Sequence, residues 1–359
     1  MTDKNKNIVV TILFSLFLFS FLVANLINKD TLISISERRK LEQFPKVSIK
    51  ALFDGTFFDK FDKYTTDQFV MRDDFRTLKV NLELGIKHNY NDLYLYNDYI
   101  VKQLYPLSLS SIENLTDKID YIKDNYLKDN KIYYSIVPDK NYYVSNGNLK
   151  LDYDKLMSIM NTNLEYAKYI DIFNLISLDN YYKTDTHWKQ ETLEGIAKKF
   201  ADEMDFYISN DYEMKSVTDF LGVYAFQLPV KNNYEQINIL TNDFIKNCKV
   251  YNYENNKTTD IYDLDKINSI DKYDIYLSGA VSLIAITNDM VNNNRELIVF
   301  RDSYGSSLIP LFTSGYKKII VVDTRYISPK ILNQFIEFTN QDVLFLYSTL
   351  LINDSSSLK

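Results

Sequence analysis

Residues 8–27 form an uninterrupted apolar run, IVVTILFSLFLFSFLVANLI, that contains no charged side chain. A helix of this length, rising about 1.5 Å per residue, crosses a hydrocarbon layer of about 30 Å. Lys4 and Lys6 precede the run, so the positive-inside rule puts residues 1–7 in the cytoplasm. We therefore predict a cytoplasmic tail, a transmembrane anchor at 8–27, and an extracytoplasmic location for everything that follows.

A cleaved signal peptide is the alternative interpretation of this segment. Its apolar region would be shorter and would end at small residues, whereas bulky Leu22, Val23 and Leu26 continue to the end of this run. The pattern favours an uncleaved anchor.

Beyond the anchor, the chain changes from a polar linker at 28–50 to apolar positions at helical spacing. Residues 51–88 are expected to form helices whose aromatic positions face a core. Those positions are Phe53, Phe57, Phe58, Phe61, Phe69, Phe75 and Leu78. The segment NDLYLYNDYI at 91–100 predicts a strand and turn, and 51–100 is treated as a helical lead-in to the domain.

The rest of the chain alternates short apolar runs with amphipathic segments of helical length. The predicted strands are Lys131–Val137, Tyr169–Leu175, Tyr273–Leu277, Glu296–Phe300, Lys318–Val322 and Val343–Tyr347. The predicted helices are Ser111–Leu127, Tyr153–Tyr166, Lys189–Met204, Tyr304–Thr313 and Pro329–Phe338. Several strand runs are continuous rather than alternating, as in parallel strands covered on both faces. We predict one α/β domain over 51–359 with a mainly parallel, doubly wound sheet. Residues 206–270 are polar and weakly periodic, and are interpreted as an insertion that is partly β.

Composition and charge narrow the chemistry. The 359-residue chain has a net charge of −7 and no basic stripe, which argues against nucleic-acid binding. Cys248 is the single cysteine, and there are two histidines, so neither a disulfide within the chain nor a Cys-rich zinc site can form. No metal or other cofactor is expected.

His187 is the better candidate for acid–base chemistry at neutral pH. It lies two positions after Asp185, and residues i and i+2 of an extended segment point the same way. The carboxylate can then orient the imidazole and stabilise its cationic form. The alternative is an ordinary loop Asp and His near a helix start. His88 has no acidic partner nearby in sequence and is interpreted as structural.

Ser303 follows the apolar run Glu296–Phe300 and precedes a helical pattern. This position is the carboxyl end of a strand, where open α/β sheets bind their ligands. The N–H groups at the start of the following helix, at Tyr304 and Gly305, are expected to hold an oxyanion. A serine that only caps the helix is the alternative. Arg301 and Arg325 are candidates to clamp a substrate group, although an ordinary ion pair is favoured for each.

Two motifs in this order, KTDTHW at 183–188 and FRDSYG at 300–305, resemble the DHHW family of Gram-positive bacteria. That family is similar to the alginate O-acetylation proteins of the SGNH-hydrolase-like superfamily. Thr186 stands where the family has its first His. Other stretches that agree are SERRKLEQFP (36–45), DGTFFDKFDKYTTDQFVMRDDF (54–75), NDLYLYNDYI (91–100), VPDK (137–140) and VVDTRY (321–326).

The resemblance implies an SGNH-like three-layer fold in which Ser303 is the nucleophile, His187 the base and Asp185 the orienting acid. It also implies an extracytoplasmic O-acetyltransferase that acetylates a cell-surface or exopolysaccharide. A membrane-bound O-acyltransferase would supply the acetyl group. Lys140, Tyr304, Gly305, Arg301 and Arg325 are the residues expected to contact the substrate or the oxyanion.

Transfer to a sugar rather than to water predicts an aromatic groove, with Tyr181, Tyr182 and Tyr304 as its candidates. Two alternatives stay open. One is a carbohydrate esterase or deacetylase with the same triad, and the other is a non-enzymatic glycan-binding scaffold of an export complex.

Overall fold

The computed structural model describes residues 2–34, 36–37, 39–145, 148–230 and 234–359. Ile35 and Arg38 of the predicted linker, and residues 231–233 of the predicted insertion, lie outside the described residues. The chain divides into an N-terminal unit (1–90 with 226–231) and a main unit (91–225 with 232–359).

Helices and strands alternate along most of the described chain. The α-helices are α1 (Asp3–Ile27), α2 (Ile49–Phe53), α3 (Thr56–Asp67), α4 (Arg72–Lys87), α5 (Leu109–Tyr126), α6 (Tyr153–Asn163), α7 (Glu194–Met204), α8 (Val223–Gln227), α9 (Asp243–Lys246), α10 (Gly305–Leu308) and α11 (Thr349–Asn353). The strands are β1 (Ile33–Ser34), β2 (Arg39–Lys40), β3 (Leu93–Tyr96), β4 (Tyr99–Lys102), β5 (Ile132–Val137), β6 (Lys168–Tyr169), β7 (Glu213–Phe220), β8 (Glu235–Thr241), β9 (Cys248–Asn252), β10 (Lys257–Thr259), β11 (Leu283–Asn288), β12 (Glu296–Arg301), β13 (Lys318–Val322) and β14 (Asp342–Ser348).

The main unit is built on an eight-stranded sheet in the order β10-β9-β11-β13-β12-β14-β5-β6. The five strands from β13 to β6 are parallel, and β11, β9 and β10 add an antiparallel edge. Alternate residues of β12, β13 and β14 point to opposite faces, as the pleat requires. Val299 and Leu344 pack on one face with α7, and Ile298 and Phe345 on the other with α5 and α6. The predicted α/β three-layer fold with a mainly parallel sheet is therefore confirmed.

The central strands agree with the sequence pattern to within about one residue at each end. These are β5, β12, β13 and β14, all continuous apolar runs buried on both faces. Two other strand predictions are wrong. Tyr169 ends the two-residue strand β6, whereas Phe173–Leu175 and Lys272–Ile275 form 3₁₀ turns, because Asp171 and Asp271 each accept a hydrogen bond from the backbone N–H two residues further on.

Helix predictions hold best where the amphipathic pattern is long. α5 and α6 lie within two or three residues of their predicted ends. α7 starts at Glu194, later than predicted, and the helix predicted after Ser303 is the short α10 followed by a 3₁₀ turn. The helix predicted over Pro329–Phe338 is a 3₁₀ turn at Pro329–Gln334. β11 was not predicted.

The predicted insertion supplies β structure to the main unit. It contains the antiparallel hairpin β7–β8, and it contributes β9 and β10 to the antiparallel edge of the main sheet. The lead-in segment 91–100 forms the predicted strand and turn as part of the hairpin β3–β4.

The aromatic residues of α2 to α4 correct a further expectation. Phe53, Phe58, Phe61, Phe69, Phe75 and Leu78 are exposed and Phe57 is half-buried, so the expectation that they face a core is wrong. The apolar face exists, but the described protein residues leave it uncovered. α1 is long and apolar enough to cross a membrane, by length and composition.

Candidate active site

The site lies at the carboxyl edge of the parallel strands, where the strand order reverses. From β12 the chain continues to β13 on one side, and then crosses to β14 on the other side. In open α/β sheets, ligands bind in the crevice outside such a switch point. Ser303 is the second residue after β12 and is only half-buried, so the fold presents its hydroxyl at this edge.

The turn after β12 is fixed by Asp302, which is buried. Its Oδ1 accepts a hydrogen bond from the Tyr304 N–H at 3.0 Å, and its Oδ2 accepts one from the Ser348 N–H at 2.8 Å. Asp302 thus ties the Ser303 turn to the end of the neighbouring strand β14. The carboxylate next to Ser303 in sequence is structural, and Asp185 is the acid that reaches the imidazole.

Asp185 and His187 lie at the tip of a narrow loop. Tyr182 N–H donates to the His187 carbonyl at 3.0 Å, and Lys189 N–H donates to the Asn180 carbonyl at 2.7 Å, which closes the loop at its base. At its tip, Asp185 Oδ1 accepts hydrogen bonds from the His187 N–H at 3.0 Å and lies 2.6 Å from Nδ1 of the ring. The two side chains of the i, i+2 pair therefore meet as expected, but through a bend at residues 183–187 rather than in an extended segment.

His187 Nε2 lies 2.7 Å from Ser303 Oγ, so the three side chains form a continuous hydrogen-bonded chain. With the proton on Nδ1 held by the carboxylate, Nε2 is the acceptor for the Ser303 hydroxyl. This arrangement can activate the serine as a nucleophile and stabilise the imidazolium that follows.

Asp185 is fully buried but remains ionised. Burial raises its pKa, but the His187 ring and the hydrogen bonds from His187 N–H and Val223 N–H lower it by more, so that the pKa of Asp185 falls to about 2. Val223 N–H donates to the second oxygen, Oδ2, at 2.7 Å. The carboxylate therefore carries its charge over the whole physiological range.

Trp188 connects the two segments of the site. Its indole N–H donates to the Tyr304 carbonyl at 3.1 Å and to Ser307 Oγ at 2.9 Å. Gln190 makes a second link through its Nε2, which donates to the Ser307 carbonyl at 2.7 Å. The loop that carries His187 and the turn that carries Ser303 are more than a hundred residues apart in sequence. These hydrogen bonds fix their positions relative to each other.

Tyr273 fixes the plane of the imidazole. Its ring stacks on His187 with centroids 3.9 Å apart and an interplanar angle of 8°, and its hydroxyl hydrogen-bonds to Ser307 Oγ at 2.7 Å. The sequence pattern predicts a strand that starts at Tyr273 and indicates no role for this residue in the site.

The predicted insertion supplies part of the site as well. Glu235, at the start of β8, accepts hydrogen bonds from the N–H groups of Lys183 and Thr184 at 2.9 and 3.1 Å. Gly222 packs directly against Asp185, because a methyl group there would lie 2.2 Å from Asp185 Cβ. Nothing in the local sequence pattern of 206–270 indicates either contact.

The other residues expected to contact a substrate are largely committed to the protein. Arg301 is buried, and donates to the Gly279 carbonyl at 3.0 Å and lies 3.4 Å from Asp323. Arg325 forms a bidentate pair with the same carboxylate, at 2.8 and 2.6 Å. The favoured interpretation of both as ion-pair residues agrees with these contacts.

Tyr304 and Gly305 correct the expected oxyanion site. Their N–H groups donate to Asp302 Oδ1 and to the Asp302 carbonyl within the turn, so neither is available without breaking a hydrogen bond. The Tyr304 hydroxyl donates to the Thr186 carbonyl at 2.7 Å. Tyr181, Tyr182 and Tyr304 are fully buried, so the expectation that they line an exposed groove is wrong.

Lys140, which the resemblance places at the substrate or the oxyanion, is buried and bound to backbone carbonyls. Its ammonium donates to the carbonyls of Ile100, Tyr182 and Lys183, the last two at 3.1 and 3.3 Å. It therefore joins β4 to the segment that leads into Asp185. Burial lowers the pKa of Lys140 to about 7, although the charges of Asp185 and Glu235 act in the opposite direction.

No protein-family model and no curated protein sequence matches the chain. Solved structures do match it in fold. A DHHW family protein from Eubacterium siraeum superposes with a TM-score of 0.62 at 20% identity, over 75% of this chain and 94% of that chain. Bacillus cereus PatB1 superposes with a TM-score of 0.53 at 16% identity, over 72% and 96% of the two chains. PatB1 has also been solved with a sulfonyl adduct.

The O-acetyltransferase domain of Pseudomonas putida AlgJ overlaps more loosely, with a TM-score of 0.44 at 10% identity over 74% of this chain and 95% of that one. The fold of this chain is thus shared with a DHHW family protein and with PatB1, as the resemblance of the motifs implied.

The contact between Gly222 and Asp185 generates a first prediction. Gly222→Ala would push Asp185 off the imidazole, and displacements of about 1 Å in such sites lower reactivity by about 100-fold. The rate at which a sulfonyl fluoride labels Ser303, followed by mass spectrometry, should fall accordingly. Gly195→Ala is the matched control, since nothing lies within 4 Å of a methyl group there. Unchanged labelling in a folded Gly222→Ala protein would contradict the prediction.

A second prediction concerns Lys140 and pH. Its folded-state pKa of about 7 lies below the ordinary 10.5, so between these values the unfolded state binds more protons. The free energy of unfolding should then rise with pH across this window. The stabilisation gained in this way is absent below about pH 7, where both states bind the proton. Lys140→Met removes the titrating group. The difference in unfolding free energy between the native protein and this variant, measured in detergent by denaturant titration, should increase from pH 7 to pH 10. A flat difference would mean that Lys140 stays charged throughout.

Proposed function

We propose that this protein is an extracytoplasmic O-acetyltransferase that acetylates hydroxyl groups of a cell-surface or exopolysaccharide through an acyl-Ser303 intermediate. The observation that carries the proposal is the unbroken hydrogen-bonded chain from Asp185 through His187 to Ser303. Its position at the switch point of the sheet, and a fold shared with a DHHW family protein, support it.

In the first half-reaction, Ser303 Oγ attacks the carbonyl carbon of an acetyl donor while His187 Nε2 takes the hydroxyl proton. Asp185, 2.6 Å from Nδ1, stabilises the imidazolium. The imidazolium then gives its proton to the leaving group, which departs as the acetyl-serine forms. Because Asp185 keeps its charge down to about pH 2, its stabilising effect is present at every pH at which the enzyme would work.

In the second half-reaction, a sugar hydroxyl attacks the acetyl-serine, and His187 Nε2 accepts its proton. Collapse of the tetrahedral intermediate returns this proton to Ser303 and leaves an acetylated sugar. Water would compete at this step, so transfer requires that the sugar be held close to Ser303.

We assign the acceptor contact to Tyr326, with Arg325 beside it. Tyr326 follows the end of β13 by four residues and Arg325 by three, at the same edge of the sheet as Ser303, and β13 is the neighbour of β12. Tyr326 is half exposed, and the Arg325 guanidinium lies 5.4 Å from the centre of its ring. An exposed aromatic face with its hydroxyl suits the apolar face of a sugar ring.

α1 is the proposed membrane anchor, with residues 1–7 in the cytoplasm and the main unit outside. An acetyl group delivered across the membrane would need a carrier, and a membrane-bound O-acyltransferase is the partner we propose for that step. The length and apolarity of α1 support the anchor.

Ser303→Ala tests the enzymatic proposal. It should remove labelling by a sulfonyl fluoride and lower acetyl transfer from an activated acetyl ester to a glycan by at least about 10³-fold, as expected when a nucleophile is lost. Ser356→Ala, an exposed serine of the main unit, is the control. Hydrolysis of the ester without any acetylated glycan would favour the esterase. Glycan acetylation that survives Ser303→Ala would favour the scaffold.

Tyr326→Ala tests the acceptor contact. It should raise the KM for the glycan several-fold while leaving the rate of Ser303 labelling unchanged, because the triad is intact. Tyr207→Ala provides a matched control. Tyr207 is also exposed, but it lies beside Gly315, just before β13 and therefore at the opposite edge of the sheet. Equal effects of the two substitutions would refute the assignment.

A further inference from the structure

The N-terminal unit carries an exposed apolar strip along α4. Met71, Phe75, Leu78, Leu82 and Ile86 recur every three or four residues, so they share one side of the helix. They are between 44% and 78% exposed, whereas Val80, on the other side of the helix, is buried. An apolar stripe of this kind normally faces a partner, and an uncovered one marks an interaction surface.

The strip continues onto α1. Phe21 of α1 stacks on Phe69 with ring centroids 5.8 Å apart, and it contacts Phe75 at 6.0 Å. Asn25 of α1 accepts a hydrogen bond from the Val70 N–H at 2.8 Å, in the turn between α3 and α4. This turn is therefore attached to the last two turns of α1 by both a polar and an aromatic contact.

These contacts set the depth of the aromatic rings if α1 spans a membrane. Phe21 precedes the end of α1 at Ile27 by six positions, which at 1.5 Å per residue is about 9 Å inside the apolar segment. Amphipathic helices at a bilayer surface bury their apolar side to about 5–10 Å. Rings stacked on Phe21 would therefore lie at the boundary between headgroups and acyl chains.

Between α1 and the α3–α4 turn lies an open groove of about 870 Å³. Phe17, Leu18 and Phe21 of α1 form one wall, and Phe69 and Phe75 form part of the other. Since one wall is the proposed membrane helix itself, whatever fills the groove must occupy the same layer as the acyl chains. Lipid meets this condition without any further component.

The basic side chains at the rim do not specify a headgroup. Arg72 pairs with Glu37 at 2.6 Å, and Arg76 pairs with Asp73 at 3.1 Å. The third basic residue of the groove, Lys79, has Glu83 at 3.8 Å. Their charges are therefore already compensated, and the apolar contact is left to carry the interaction.

From this geometry we propose that the N-terminal unit lies in the outer surface of the membrane, with the α4 strip and the rings of Phe69 and Phe75 inserted among lipid acyl chains. The inference rests on the anchor role proposed for α1, and it is independent of the proposed chemistry at Ser303. The contact is expected in neutral lipid as well as in anionic lipid.

The test uses the full chain with Cys248→Ala, reconstituted without any partner in phosphatidylcholine vesicles. A nitroxide is attached at Leu82→Cys in the strip, at Asn81→Cys as the matched control, or at Leu13→Cys near the middle of α1. Asn81 is the exposed neighbour of Leu82 and points about 100° away from it around the helix. Electron paramagnetic resonance then measures the accessibility of each label to oxygen, which partitions into lipid, and to a water-soluble nickel chelate.

The oxygen-to-nickel accessibility ratio should be several-fold higher at Leu82 than at Asn81, and high at Leu13. Ile86→Cys, the most exposed position of the strip, should repeat the Leu82 result and guards against a local disturbance at one site. A water-like ratio at both Leu82 and Ile86 with a lipid-like ratio at Leu13 would overturn the proposal and assign the strip to a protein partner. A water-like ratio at Leu13 would instead refute the anchor.

Discussion

The hydrogen bonds of one indole N–H hold the candidate site together. Trp188 donates to the Tyr304 carbonyl and to Ser307 Oγ, and so joins the loop of His187 to the turn of Ser303. Neither segment belongs to a strand at that point, so no ladder fixes their separation. Leaving this buried N–H group without an acceptor would cost free energy. It finds its acceptors only when the two segments lie at this distance from each other. Ser307 Oγ also bonds to the Tyr273 hydroxyl, and thus the contact that sets the distance from His187 to Ser303 also sets the plane of the ring.

Carboxylates fix the positions of these loops by accepting backbone hydrogen bonds, as strand pairing does in the sheet. Asp185, Glu235 and Asp302 each accept hydrogen bonds from two backbone N–H groups around the site. Two of these six donors lie two residues after the acid, and the other four lie 38 or more residues away in sequence. Charged acceptors make stronger bonds than neutral ones. A site on loops can therefore be as well fixed as one on strands. The arrangement also separates the acids by role, since Asp185 alone among the three reaches the imidazole.

The candidate reacting groups are predictable from the sequence, whereas the residues that position them are not. Asp185 and His187 are predictable because a two-residue spacing is a local property, and Ser303 because a strand followed by a polar turn is also local. The central strands are predictable for the same reason, because a short continuous apolar run is typical of a parallel strand that is covered on both faces. Tyr273 and Gly222 depend on contacts with residues far along the chain, and no periodicity encodes those. The strand predicted at Tyr273–Leu277 is instead a 3₁₀ turn started by Asp271, and that turn is what allows the Tyr273 ring to lie on His187.

The exposed phenylalanines show that helical periodicity does not indicate what covers an apolar side. Helical periodicity establishes that one side of α3 and α4 is apolar, but the same pattern arises whether that side meets a protein core or acyl chains. The distinction comes from what lies next to it. Phe69 and Phe75 contact Phe21 of α1, a helix that is apolar all round over residues 8–27, and Asn25 of that helix accepts a hydrogen bond from the turn between α3 and α4. Under the anchor role proposed for α1, an apolar side that starts at this helix and has no protein cover among the described residues meets acyl chains. Membrane attachment would then extend beyond one helix to a surface.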